Sequence, residues 1–260
     1  MPNLTRSQLL TALHTAIEPL PYAQAMWQGG AAAFNRADEW SDIDMLIEVE
    51  DGRVAEALAV VEQTVLTLSP IALRYEIPQP AWHGHFQVFY RLAEASEFLM
   101  LDLVLIEHSH PNKFLEREIH GEAVVLFDKT GVVNPLPLDR AAWAIKLKER
   151  LAALRVTFPL FQPLVTKELH RRNALEALAF YQAMTLRPLV EALRIRHCPA
   201  RYNFHTRYTQ YDLPAAVNQR LAPLFFPRDL EDIRAKHAEA AQWASELLAE
   251  PDANAVGAWA

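Results

Sequence analysis

The chain has 260 residues, 51% of them apolar and 22% charged, with a formal net charge of −7 and a single cysteine. That length holds one large or two modest cored domains, and the balance argues against long disorder. The acidic surplus runs against a protein that grips a nucleic-acid backbone by bulk charge, while the lone Cys198 excludes an intrachain disulfide and a multi-cysteine zinc site.

A reducing, cytoplasmic setting follows as the expectation. The N-terminal segment lacks the apolar core of a signal peptide, and nothing approaches the roughly 20 apolar residues of a membrane span, so no membrane partner is expected. Thr5 to Ile17 reads as an amphipathic helix, with Leu9, Leu10, Leu13 and Ile17 at helical spacing and Thr5 or Ser7 as its cap. Ala23 to Gln28 predicts a short strand running into Gly29-Gly30, where the backbone can approach a bulky group closely. Ala31 to Ala33 suit the first turn of a helix, whose free N–H groups would face phosphate. After the polar loop Asn35 to Trp40, Asp42 to Val49 predicts a strand. Side chains alternate along a strand, so Asp42 and Asp44 share a face and form a hard-oxygen site for a cation such as Mg²⁺.

Further on, Val54 to Leu68 predicts a helix, and Ile71 to Ile77 a strand. His85 to Leu92 and Phe98 to Ile106 are apolar runs joined by a short polar link, which reads as a hairpin. Asp102 interrupts the second run, and an unpaired carboxylate is costly to bury, so it faces a cleft or meets a cation. Glu122 to Phe127 predicts a last short strand, and Asn134 to Leu138 a linker. Asp139 then caps a helix through Arg155. Beyond it the pattern is helical: Leu164 to Arg196 with a kink or break at Pro188, then Pro214 to Leu224 and Pro227 to Leu248. The expected organisation is an α/β (α+β) domain over residues 1–135, with a mixed sheet and flanking helices, followed by an all-α helical bundle over 136–260.

Gly29-Gly30, eleven intervening residues, then Asp42-Ile43-Asp44 resembles the signature of the polymerase-β-like nucleotidyltransferase superfamily. Gln28 stands where an apolar residue is usual there, Gly30 where many members carry Ser, and Phe34 where Gly is common. In that family a third carboxylate comes from a later strand, and Asp102 is the matching position. The resemblance implies that Asp42, Asp44 and Asp102 bind two Mg²⁺ ions and that Gly29-Gly30 cradles the phosphates of ATP or another NTP. Arg36 and Ser41 would be candidates to contact the triphosphate, Arg36 by charge-assisted bonds.

The α/β domain followed by a bundle is similar to antibiotic-modifying nucleotidyltransferases, which implies transfer of a nucleoside monophosphate to a hydroxyl of a small, aminoglycoside-like acceptor. The alternative is a regulatory or protein-modifying, antitoxin-like nucleotide binder with little turnover. Candidate general bases are Asp102, Glu168 and Glu176, and Lys146 or Lys148 is a candidate phosphate contact. His83-x-His85 and His108-x-His110 would each pair two imidazoles, without the further ligands that zinc requires. The aromatic segment Arg201 to Tyr211 would either stack on a base or sugar or pin a loop to the bundle.

Overall fold

Thr5 starts the first helix, α1 (Arg6–Ile17), through a reciprocal cap: its side chain accepts from the Gln8 N–H, and Gln8 Oε1 accepts from the Thr5 N–H at 2.9 Å. The computed structural model describes residues 4–250, so the ends of the two expected domains, 1–3 and 251–260, lie outside the described residues. Contacts divide the chain between Pro137 and Leu138 into two compact units. The first is built on a six-stranded mixed sheet and the second is helical, the α/β (α+β) class expected. Among the described residues no helix is long and apolar enough to cross a membrane.

The strands are β1 (Ala23–Gln28), β2 (Ile43–Val49), β3 (Ile71–Glu76), β4 (Phe86–Leu92), β5 (Leu101–Glu107) and β6 (Val124–Asp128), in the order β3-β4-β5-β2-β1-β6. Only β2 and β5 run parallel; the other neighbours are antiparallel. Helices α2 (Gly30–Ala33), α3 (Val54–Leu68) and α4 (Arg117–His120) complete this unit. Alternation decides its faces. Ile43, Met45, Ile47 and Val49 of β2 and Leu101, Leu103 and Leu105 of β5 join one core with α1 and α3. Their in-between neighbours Asp44, Leu46, Asp102 and Ile106 therefore belong to the opposite face. There Leu46 and Ile106 pack with Ala25, Trp27, Leu115 and Val133 in a second, smaller cluster. The strand expected from Asp42 starts one residue later, at Ile43. The Asp42 carbonyl accepts from the Arg6 guanidinium, so Asp42 ends the preceding loop.

In the helical unit Asp139 caps α5 (Arg140–His170) by accepting from the Ala142 N–H at 3.0 Å. This helix does not stop near Arg155: it passes Pro159 and Pro163 and ends at His170. The helix expected over Leu164 to Arg196, with its kink or break at Pro188, is interrupted earlier, at Arg172, whose φ of +58° is left-handed. Around the break the Asn173 N–H donates to the Glu168 carbonyl at 3.0 Å, and the buried Glu168 carboxylate accepts from Arg171 at 2.8 Å and from Asn173 at 3.2 Å.

After α6 (Ala174–Phe180), a π-helical stretch, Tyr181–Leu186, leads into α7 (Arg187–His197). Pro188 has no N–H to offer the Met184 carbonyl four residues back, and Gln162 Nε2 of α5 donates to that carbonyl at 2.9 Å. Gln162 Oε1 in turn accepts from Thr185 Oγ1 at 2.8 Å and lies 3.1 Å from His237 Nε2. Helices α8 (Thr209–Asp212), α9 (Ala215–Leu221) and α10 (Leu230–Ala249) follow.

The aromatic segment Arg201 to Tyr211 is wrapped on a buried charge. The Arg194 guanidinium, fully inaccessible, donates to the carbonyls of Arg201 (3.1 Å), His205 (2.6 Å) and Arg207, and to Asp212 Oδ2 at 2.9 Å. Arg201 donates to the other Asp212 oxygen at 2.5 Å. Removing one partner from such a pair strands the other, a loss of about 3–5 kcal/mol. Arg194→Leu should therefore lower the urea midpoint of the helical unit steeply. A shift worth under about 1 kcal/mol would show that the segment is held by its aromatic side chains instead.

Candidate functional site

Parallel pairing sets Asp44 of β2 directly opposite Asp102 of β5, each the second residue of its strand. Neighbouring strands lie about 4.8 Å apart, so the two carboxylates leave one sheet face side by side. Both positions are partly exposed, while the residues flanking each are buried. Paired carboxylates repel when both are ionised, and a hard divalent cation converts that repulsion into attraction.

The glycine turn lies against the same carboxylate. The Gly29 N–H donates to the Asp44 carbonyl at 2.9 Å. Gly30 has φ +52°, and a Cβ built on it would fall 1.6 Å from Asp44 Oδ2. Glycine is thus demanded twice at this position, by the backbone and by the carboxylate resting on it. The helix that follows, α2, has a single turn, so it offers less than the expected helix N-terminus.

Arg6 was not singled out by sequence reasoning, yet it clamps three parts of this site. Its guanidinium donates to Gln28 Oε1 at 3.3 Å, to the Ser41 carbonyl at 3.0 Å and to the Asp42 carbonyl. The polar Gln28 at a buried strand end is thereby explained, and its need for a partner was the one signal pointing to Arg6. Ser41 Oγ donates to Asp38 Oδ1 at 2.7 Å and accepts from the Asp38 N–H at 3.0 Å, and this hydroxyl is the main cause holding the Asp38 carboxyl below its usual range. Arg36 lies over the Phe34 ring, 4.9 Å from its centroid, with its N–H on the Ala31 carbonyl at 2.9 Å. Ser41 and Asp42 thus end the loop just before β2, while Arg36 flanks α2.

Among the described residues no three His, Cys, Asp or Glu side chains are gathered as a ready-made metal centre. The donor chemistry nevertheless suits a hard cation: carboxylates on Asp44 and Asp102 side by side, with Asp42 two residues before Asp44.

Asp102 is supported from β4. Gln87 Nε2 donates to Asp102 Oδ1 at 2.7 Å, and Gln87 Oε1 lies 3.1 Å from His83 Nε2. Of the two histidine pairs, His83 and His85 stay together, ring centroids 5.5 Å apart, and His108 and His110 part to different partners. His108 Nδ1 lies 3.0 Å from the buried Glu48, whereas the His110 ring sits 4.0 Å from that of His85. His85 is 2% exposed. Burial first, then the neighbouring His110 and His83, push its pKa down to about 4. The candidates from the helical unit have local partners of their own. Glu168 serves the break after α5, Glu176 accepts from Asn173 at 2.7 Å, and Lys146 lies 4.9 Å from the Trp143 ring centroid.

Gly30→Ala should destabilise the first unit by more than the roughly 1–2 kcal/mol of a left-handed alanine. The excess should shrink when Asp44→Ala is combined with it, because the carboxylate it strikes is gone; additive effects in a double-mutant cycle would contradict the contact. His85 is neutral in the fold but takes a proton below about 6.5 when unfolded. Stability present above that pH is therefore lost as pH falls toward about 4, by about 2–3 kcal/mol. His85→Phe should flatten this decline, and equal acid sensitivity of wild type and variant in denaturant titrations would refute it.

No protein-family profile matches the sequence, and no curated protein does. Among solved structures, the chain is similar at 12% identity and a TM-score of 0.26 to a Helicobacter pylori protein provisionally described as a nucleotidyltransferase, over 94% of this chain and 97% of that one. A second, JHP933 from Helicobacter pylori, matches at 12% identity and a TM-score of 0.25, over 95% of each chain. Scores of that size do not establish a shared fold, so the site stands on its own residues.

Proposed function

We propose that this protein is a Mg²⁺-dependent nucleotidyltransferase, transferring a nucleoside monophosphate, with AMP from ATP as the leading case, to a hydroxyl of a small-molecule acceptor. The observation that carries it is the in-register pair Asp44 and Asp102 beside a left-handed Gly30 on which the Asp44 carboxylate rests. Asp42, Asp44 and Asp102 would hold the cation, two ions when both sites fill. Bound Mg²⁺ supplies charge neutralisation at the α-phosphate and a lowered pKa for the acceptor hydroxyl.

The chain's own residues do the rest. The Gly29-Gly30 turn, without side chains, lets the triphosphate approach the backbone, and Arg36 supplies a cation beside it. In the transfer the acceptor oxygen bonds the α-phosphorus, the bond from that phosphorus to the bridging oxygen breaks, and pyrophosphate leaves. The hydroxyl proton passes to Asp102 or to solvent. The net charge of −7 is compatible with a cationic, aminoglycoside-like acceptor and unfavourable for nucleic acid.

A second reading, a nucleotide-binding regulator without turnover, is favoured by one observation: the aspartates are not gathered as a three-ligand centre among the described residues. Melting temperature measured with each of the four NTPs, with and without Mg²⁺, tests both. Wild type should gain stability with one nucleotide only when Mg²⁺ is present, and Asp44→Ala should lose that gain. Pyrophosphate release on addition of an acceptor then separates transferase from binder. No nucleotide-dependent shift under any condition would end both readings.

A further inference from the structure

The support behind Asp102 has a direction built into it. The His85 backbone N–H donates to His83 Nδ1 at 3.1 Å, so that nitrogen carries a lone pair and the ring proton sits on Nε2. His83 Nε2–H then faces Gln87 Oε1 at 3.1 Å, which fixes which end of the Gln87 amide is oxygen. Its NH₂ is left for Asp102 Oδ1, at 2.7 Å. The His83 ring cannot easily turn. It is 9% exposed and stands among Trp82 (5.1 Å), His85 (5.5 Å) and Phe114 (6.0 Å). The loop carrying it is tied down as well: Gln79 Oε1 accepts from the Ala81 N–H at 3.2 Å, and Gln79 Nε2 donates to the His85 carbonyl at 3.3 Å.

We propose that Gln87 is a positioning residue for Asp102, and that His83, locked as its Nε2–H tautomer by the His85 backbone, sets the Gln87 amide so that it can only donate to the carboxylate. This hydrogen-bonded relay holds Asp102 in place beside Asp44 before any cation arrives. This rests on the metal-binding reading of the aspartate pair. A metal-ligating carboxylate held by an outer hydrogen bond typically loses about 10–100-fold in metal affinity when that bond is removed.

Mn²⁺, titrated by electron paramagnetic resonance with and without ATP, reads the consequence, and nitrogen-15 spectra of the histidine rings and glutamine amides read the geometry. The expected result is that Gln87→Leu and His83→Leu each weaken Mn²⁺ binding about tenfold. His83→Gln, which can still present an N–H at the Nε2 position, should restore most of the affinity. Wild-type His83 should show the Nε2–H tautomer, and the Gln87 amide protons should move in Asp102→Ala. Mn²⁺ affinity unchanged in Gln87→Leu, or a His83 proton on Nδ1, would overturn the positioning role while leaving the metal site standing. A wild-type protein that binds no Mn²⁺ would overturn the metal-binding reading itself, and this role with it.

Discussion

The parallel pairing of β2 with β5 is the constraint on which the candidate site depends. Ile43 and Leu101 begin the two strands in register, and both are buried in the core beneath α1 and α3. Once those apolar side chains are committed inward, the next residue on each strand must face the other way. Asp44 and Asp102 are brought together by the burial of their neighbours, not by any attraction of their own. A one-residue slip of either strand would bury an aspartate and expose a core residue, so hydrophobic burial itself guards the geometry of a charged pair.

The backbone around this pair is irregular, and each irregularity is held by a side chain from a distant part of the chain. Arg6, on the first helix, takes up the carbonyls of Ser41 and Asp42 where the loop has not yet joined the sheet. Gly30 accepts a left-handed conformation directly under the Asp44 carboxylate. Gln87 and His83 connect Asp102 to an ordered loop. The helical unit follows the same rule: Gln162 serves a carbonyl that Pro188 leaves unpaired, and Arg194 gathers the carbonyls of a loop with no regular structure. At Ser41, Asp42, Met184 and the loop gathered by Arg194, a carbonyl without a ladder or helix partner finds its donor on a long polar side chain.

Much of the first unit was legible because alternation and helical periodicity are local properties. The strand at Ala23 to Gln28 and the helix at Val54 to Leu68 coincide with β1 and α3. The Gly29-Gly30 and Asp-x-Asp spacing located the turn and Asp44, and the interrupted apolar run located Asp102, since glycine at a strand end and a carboxylate within an apolar run have few inexpensive explanations. The helical unit was less legible. A helix through Arg155 and a kink or break at Pro188 are the local reading, yet α5 runs on through Pro159 and Pro163 and the break falls at Arg172. A proline's effect depends on whether another element can satisfy the carbonyl it frees, and that element lies far away in sequence.

The sequence by itself determined the alternation that turns Asp44 and Asp102 out of the core, the need for glycine at the turn, and the division into sheet-forming and helix-forming halves. These follow from side-chain period and backbone sterics, which act over a few residues. Only the tertiary structure decided that β2 and β5 are parallel neighbours with the two aspartates opposite each other, that Asp42 precedes the strand, and that Arg6, Gln87 and His83 serve the site. Apart from His83 with Gln87, four residues apart, those pairings span 15 residues, for Gln87 with Asp102, to 58, for Asp44 with Asp102. They are selected by how apolar faces are buried and how freed polar groups find partners, and no local pattern records that choice.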